Sequence, residues 1–294
     1  MGEAAALASA VTWAGTSVTL ARLGARYPAP VLSSLRLLAA TPFLLVLVVV
    51  TGATAQLRDA SWAVLLAMAG SGLVGYGMGD TVYIRSMGGV GMQRLAPPAT
   101  ALWVALSAAG GIWLLGEPFS WGLVAGGGLV VTGTWFIIAR SAAAAAGPAR
   151  WSASRSVLAI GAVALAWTVA TLVLAGGRGD LGAAAAGIVR IPAGGLSIGL
   201  VTSMATRGAV LRRLPGGRDL ALIAAVGVLG TGIGSVLYIF AVAEAGVARA
   251  TILNSISPLL ALPLSMLVLR ERLTRRIGIG TLLCVAGTVI VLAT

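Results

Sequence analysis

Histidine and lysine are absent from these 294 residues, cysteine occurs once, and only eight residues are acidic. Without histidine there is no imidazole proton relay, no His-ligated metal and no Ser-His-Asp triad. A lone cysteine, Cys284, excludes an intramolecular disulfide. No phosphate-binding P-loop occurs, so no nucleotide drives the protein directly, and no cofactor is expected. Charged residues are 10% of the chain, against about 25% in soluble proteins. That is too few to dress a water-facing surface.

What fills the space is hydrophobic. Apolar residues make up 59% of the chain and the mean hydropathy is +1.01, which describes an integral membrane protein with the lipid bilayer as its solvent. The net charge of +12 would suggest nucleic acid in a soluble protein. Here the basic residues, all arginine, sit in short loops between apolar runs, as topology signals do. No nucleic-acid partner is expected. Arginine without lysine, with 41 glycines and abundant alanine, suggests a GC-rich genome and a bacterial inner membrane. The opening MGEAAALASAVTWAG lacks a positive n-region and reads as the first membrane helix rather than a cleaved signal.

A span needs about 20 apolar residues. Cutting at charges and Pro/Gly clusters gives ten, near 4–22, 30–50, 62–84, 95–115, 121–139, 156–176, 182–204, 219–241, 250–269 and 276–293. The Ala/Ser/Gly-rich break RSAAAAAGPARWSASR separates two halves, read as 1–140 and 156–294 around a linker at 141–155. Shifting by 154 residues lays Trp13 on Trp167, Arg36 on Arg190 and Glu117 on Glu271. With a slip of one residue, GYGMGDTVYI matches GTGIGSVLYI. Each half holds five spans, so the second must enter the membrane inverted. The arginines agree: odd-numbered loops carry fifteen and the others three, which puts the odd loops in the cytoplasm.

The stretches AVAEAGVARATILNSISPLLALPLSMLVLRERLTRRIGIGTLLCVAGTVIVL and PPATALWVALSAAGGIWLLGEPFSWGLVAGGGLVVTGTWFII resemble the EamA family of the drug/metabolite transporter superfamily. The resemblance covers both halves, including the arginine in the second helix of each. It implies an all-α protein of ten transmembrane helices, two inverted five-helix repeats, and a secondary-active carrier of small organic solutes, often an exporter. The first half departs from the pattern with Val104 where the second has Pro258.

Arg36 and Arg190 each lie about 10 Å inside a helix at the rise of an α-helix. They read either as fold-locking arginines bonded to carbonyls or as site residues. Asp80 is the only acid within a span. A carboxylate at mid-helix costs about 2.5–3.5 kcal/mol on insertion scales, which an Arg36–Asp80 pair would offset. Arg85 and Arg94 are the rival partners. Arg190 has no matched carboxylate, since Ser235 or Gly234 stands where the first half has Asp80. That frees Arg190 for an anionic substrate group and makes Asp80 the candidate for proton coupling. Trp13, Trp167, Tyr83, Tyr238, Trp103, Asn254, Ser257 and Pro258 complete the candidate cavity. Interhelical packing is the plainer reading of the same residues.

Glu117 and Glu271 read as end markers before the last helix of each half, with Ser120 and Thr274 at the N-caps. Glu244 is expected to pair with Arg249. Trp62, Trp121 and Trp151 are expected at the interface. The reading is a carrier of a small, partly apolar or amino-acid-like metabolite, working by alternating access, with a homodimer possible. The alternatives are a lipid translocase and a non-transporting membrane interaction protein. An enzyme is not expected.

Overall fold

The computed structural model describes residues 1–24, 26–90, 92–145, 151–209, 214–257, 259–260 and 275–294. All regular structure among the described residues is helical. In chain order the helices are α1 (Gly2–Gly24), α2 (Ala29–Val50), the short α3 (Thr54–Asp59), α4 (Trp62–Gly72), α5 (Asp80–Val90), α6 (Met92–Leu115), α7 (Trp121–Ala145), α8 (Ala153–Gly177), α9 (Ala183–Ala205), α10 (Gly217–Val226), α11 (Ser235–Asn254) and α12 (Arg275–Ala293). Wide π-helical turns, Leu73–Gly79 and Gly227–Gly234, join α4 to α5 and α10 to α11. Among the described residues, six helical stretches are long and apolar enough to cross a membrane, and two shorter apolar helices lie at Trp121–Phe136 and Gly278–Ala293.

Several boundaries differ from expectation. α7 runs on to Ala145, into the presumed linker, because its alanines have the best helix propensity. The stretch Gly217–Asn254 looks like one rod but breaks at Gly246, where φ is +83° and ψ 167°. A left-handed φ is open to glycine at no steric cost. A second interruption follows α11: Ser255 and Ile256 form a turn, with the Ile256 N–H reaching Leu253 O at 3.5 Å. The bend expected at Pro258 falls on a residue outside the described set.

The helices gather in two groups. α1 and α2 pack on the α10–α11 rod, while α8 and α9 pack on the α4–α5 rod and α8 on α6. The groups meet along α2 with α9 and α6 with α11. Close approach depends on small residues. A Cβ at Gly72 would overlap the Arg190 carbonyl, and one at Gly227 the Arg36 carbonyl. A Cβ at Gly75 would lie 2.7 Å from the Ala170 Cβ, and one at Gly230 2.7 Å from Thr16 Oγ1. α7 packs mainly against α12, with Gly126 and Gly287 face to face, and also against α6.

Hydroxyls seal these contacts by donating to carbonyls of the neighbouring helix. Ser9 Oγ reaches Gly234 O at 2.8 Å, Ser71 Oγ reaches Ala170 O at 2.6 Å, and Ser34 Oγ reaches Gly195 O at 2.8 Å. Trp62 and Trp121 are exposed at helix starts, where the bilayer interface would hold them. Trp151 is half-buried: its ring covers Gly89 and the Arg155 guanidinium lies 4.2 Å from its centre.

Candidate functional site

Asp80 opens α5 where the preceding π turn ends. Tyr83 lies three residues on, so both side chains occupy one helix face. Each carboxylate oxygen of Asp80 has a donor. Arg36 Nη2 donates to Oδ2 at 2.5 Å and Trp167 Nε1 to Oδ1 at 2.8 Å. Arg36 comes from α2 and is 1% exposed. Its Nη1 donates to Thr231 Oγ1 at 3.0 Å, its guanidinium lies 5.9 Å from the Trp13 ring centre, and its buried Nε has no hydrogen-bond partner among the described residues. Arg85, one of the rivals for Asp80, is exposed.

From the ion pair an aromatic layer crosses the molecule. Tyr83 lies 5.1 Å from Trp167, Trp167 6.0 Å from Trp103, and Trp103 6.1 Å from Tyr238, centre to centre. Four helices contribute one ring each: α5, α8, α6 and α11. The Tyr238 and Thr171 hydroxyls are 3.3 Å apart, and Ser107 Oγ donates to Thr168 Oγ1 at 3.5 Å. Trp103 Nε1 is a buried donor with no partner among the described residues.

Arg190, on α9, is buried at 3% exposure. Its Nε donates to Ser71 Oγ at 3.1 Å, and its guanidinium lies 5.2 Å from the Tyr76 ring centre. No acid pairs with it among the described residues, and its Nη1 has no hydrogen-bond partner. A buried donor without an acceptor is rare in folded proteins, and in a membrane it is more costly still. Among the described residues, the two buried arginines and Asp80 leave the Arg190 charge without an acidic partner.

Asn254 ends α11 with Oδ1 buried and without a hydrogen-bond partner among the described residues, and Ser257 is half-buried just beyond it. Trp13 joins the site through Arg36 rather than through a ring contact. Pro258, Glu271 and Thr274 lie outside the described residues. Sequence reading missed Ser71, Thr231, Thr171 and Tyr76. The first two sit in the glycine-rich stretches SGLVGYG and GTG, and that setting, a lone hydroxyl among glycines, was the available signal.

Two charge pairings depart from expectation. Arg249 pairs with Glu3 at 3.5 Å, not with Glu244, which is exposed. Glu117 serves a helix of the other half. Its Oε2 accepts from the Ala248 N–H at 3.0 Å and its Oε1 from the Val247 N–H. Gly246 supplies no side chain to cap the helix beginning at Val247, so an acceptor from elsewhere satisfies the orphan N–H groups. The loop at the opposite end carries a third link: Asp219 accepts from Arg26 Nη1 at 3.0 Å and from the Tyr27 hydroxyl at 2.6 Å.

With this geometry in hand, comparison with known proteins gives the class. The model of the EamA-like transporter family matches residues 1–139 and again residues 154–293. The chain belongs to that family, within the drug/metabolite transporter superfamily, and is a multi-pass membrane protein. No protein of curated function matches in sequence. A solved structure, described only as the crystal structure of a protein, is similar in fold. Its TM-score is 0.80 at 18% identity, covering 98% of this chain and 94% of that one.

Proposed function

We propose that this transporter is a secondary-active carrier that exports small, partly apolar organic solutes bearing an anionic group, such as metabolites or amino-acid-like compounds, across a bacterial inner membrane. The carrying observation is the buried Arg190, uncompensated by any described acid, within a site that also holds the aromatic layer and the Arg36–Asp80 pair. Arg190 would engage the anionic group. Tyr83, Trp167, Trp103 and Tyr238 would bound the apolar body, with Trp103 Nε1 and Asn254 Oδ1 as orientation points.

The chain is read as ten spans in two inverted halves alternating access about this layer. Matched contacts support that reading. Gly72 meets the Arg190 backbone as Gly227 meets that of Arg36, and Gly79 meets Trp167 as Gly234 meets Trp13. Each such contact recurs 154 or 155 residues away, as an internal repeat would place it. Asp80 is the coupling group in this reading: protonation would release Arg36 and loosen the contact between α2 and α5.

The test is flux in proteoliposomes, with a labelled panel of metabolites and amino acids, with and without a pH gradient. Saturable flux of one anionic class supports the carrier. Arg190→Gln should weaken apparent affinity for it roughly tenfold or more, the worth of a hydrogen bond to a charged group. Unchanged affinity sinks the anion role, and gradient-dependent flux that survives Asp80→Asn sinks the coupling role. No flux of any solute by the inserted, folded protein sinks the carrier reading. A lateral groove lined by Leu7, Val11, Ile256, Leu260 and Val289 is apolar, which does not favour the lipid-translocase reading, since a headgroup needs a polar track.

A further inference from the structure

The two helix groups meet along the seam where α2 packs on α9 and α6 on α11. Arg36–Asp80 crosses that seam near one end of the bundle, since Arg36 is two turns from the start of α2. Glu117 crosses it near the other. The rod from Gly217 to Gly246 fixes this separation: Asp219, at its start, binds Arg26, and Gly246, about 40 Å on at helical rise, faces Glu117. The aromatic layer lies between the two crossings, through Trp103 of α6 and Tyr238 of α11.

Three glycines shape the Glu117 seat. Gly116, with φ +71°, turns the chain back after α6, and the Glu117 N–H donates to Gly111 O at 3.0 Å. A Cβ at Gly111 would lie 2.6 Å from Oε2, and one at Gly246 2.9 Å from Oε1. The carboxylate thus replaces an N-cap side chain that Gly246 cannot provide. Its bonds are charge-assisted and favoured by the helix dipole. Water can take over the freed N–H groups only when this face of the seam is open. The cap is therefore strong while the face is closed and replaceable once it opens.

We propose that Glu117 is the positioning residue that latches this face of the carrier shut. The inference rests on the carrier reading for its meaning, but its test reads sidedness rather than flux. In a Cys284→Ser background, Ser107→Cys places a thiol inside α6 between the latch and the layer. Oriented proteoliposomes are treated with a membrane-impermeant thiol reagent from each side in turn. Glu117→Gln and Gly246→Ala should each raise labelling from the α6–α7 face several-fold and lower it from the opposite face. Labelling that is unchanged, or that rises from both faces as in a loosened fold, overturns the latch.

A second arm covers variants that fail to fold. Glu117→Cys with Ala248→Cys, cross-linked in the same background without the position-107 change, should stop flux, and reductant should restore it. Full flux through the cross-linked protein overturns the latch. Absence of flux in the uncross-linked parent overturns the carrier reading instead, and leaves the labelling result to judge the latch.

Discussion

Removing the Asp80 carboxylate is the sharpest perturbation of the site. Asp80 is 14% exposed and Arg36 1% exposed, so Asp80→Ala leaves a guanidinium buried in the membrane. Thr231 Oγ1 is then its one hydrogen-bond acceptor among the described residues. Trp167 Nε1 also loses its acceptor. Breaking a buried pair by deleting one partner costs about 3–5 kcal/mol, whereas replacing both with apolar groups of similar volume is often close to neutral. The double variant Arg36→Met, Asp80→Leu should therefore recover most of the loss. The eight tryptophans report unfolding by fluorescence in mixed micelles as denaturing detergent is raised. A coupling of about 3 kcal/mol between the two positions is expected. An Asp80→Ala cost below about 1 kcal/mol, or single-variant losses that simply add, would refute the reasoning.

Further outcomes follow from other parts of the structure. Gly72→Ala and Gly227→Ala drive a methyl into a carbonyl of the facing helix and should each cost about 1–3 kcal/mol by overpacking. Gly128→Ala, in open space within α7, should be neutral or stabilising by the same unfolding assay. The Tyr27 hydroxyl donates to Asp219, which holds the phenol above its ordinary range, with burial and the Asp219 charge adding to the effect. A raised folded value means that its contribution is present below the ordinary tyrosine range and lost as pH rises through the folded value. Asp219→Asn should move part of the alkaline tyrosinate absorbance to lower pH, and an unmoved titration would discount the contact. Cys284, on α12, is fully buried against Val130 of α7, so a maleimide should label it only after unfolding, and rapid labelling of the folded protein would contradict that packing.

Composition and periodicity settled what lies within one helix of reach. Apolar run length gave the helices, within two or three residues for α2, α6, α8, α9 and α12. The few charges inside those runs marked Arg36, Asp80 and Arg190 as residues needing a reason, because hydrocarbon penalises an unpaired charge whatever the fold. A family resemblance carried by matching stretches of both halves gave the class of protein. What depends on which helices touch was decided by tertiary structure alone. Glu117 reads from sequence as a marker for the helix that follows it, yet it caps Val247, 130 residues away. Arg249 finds Glu3 from α1 rather than Glu244, five residues before it. Trp167 bonds Asp80 across the two halves, and Ser71 meets Arg190 only because a glycine beside it lets α4 and α9 touch. Periodicity records which face of a helix is apolar, but a partner on another helix leaves no periodic trace in the chain.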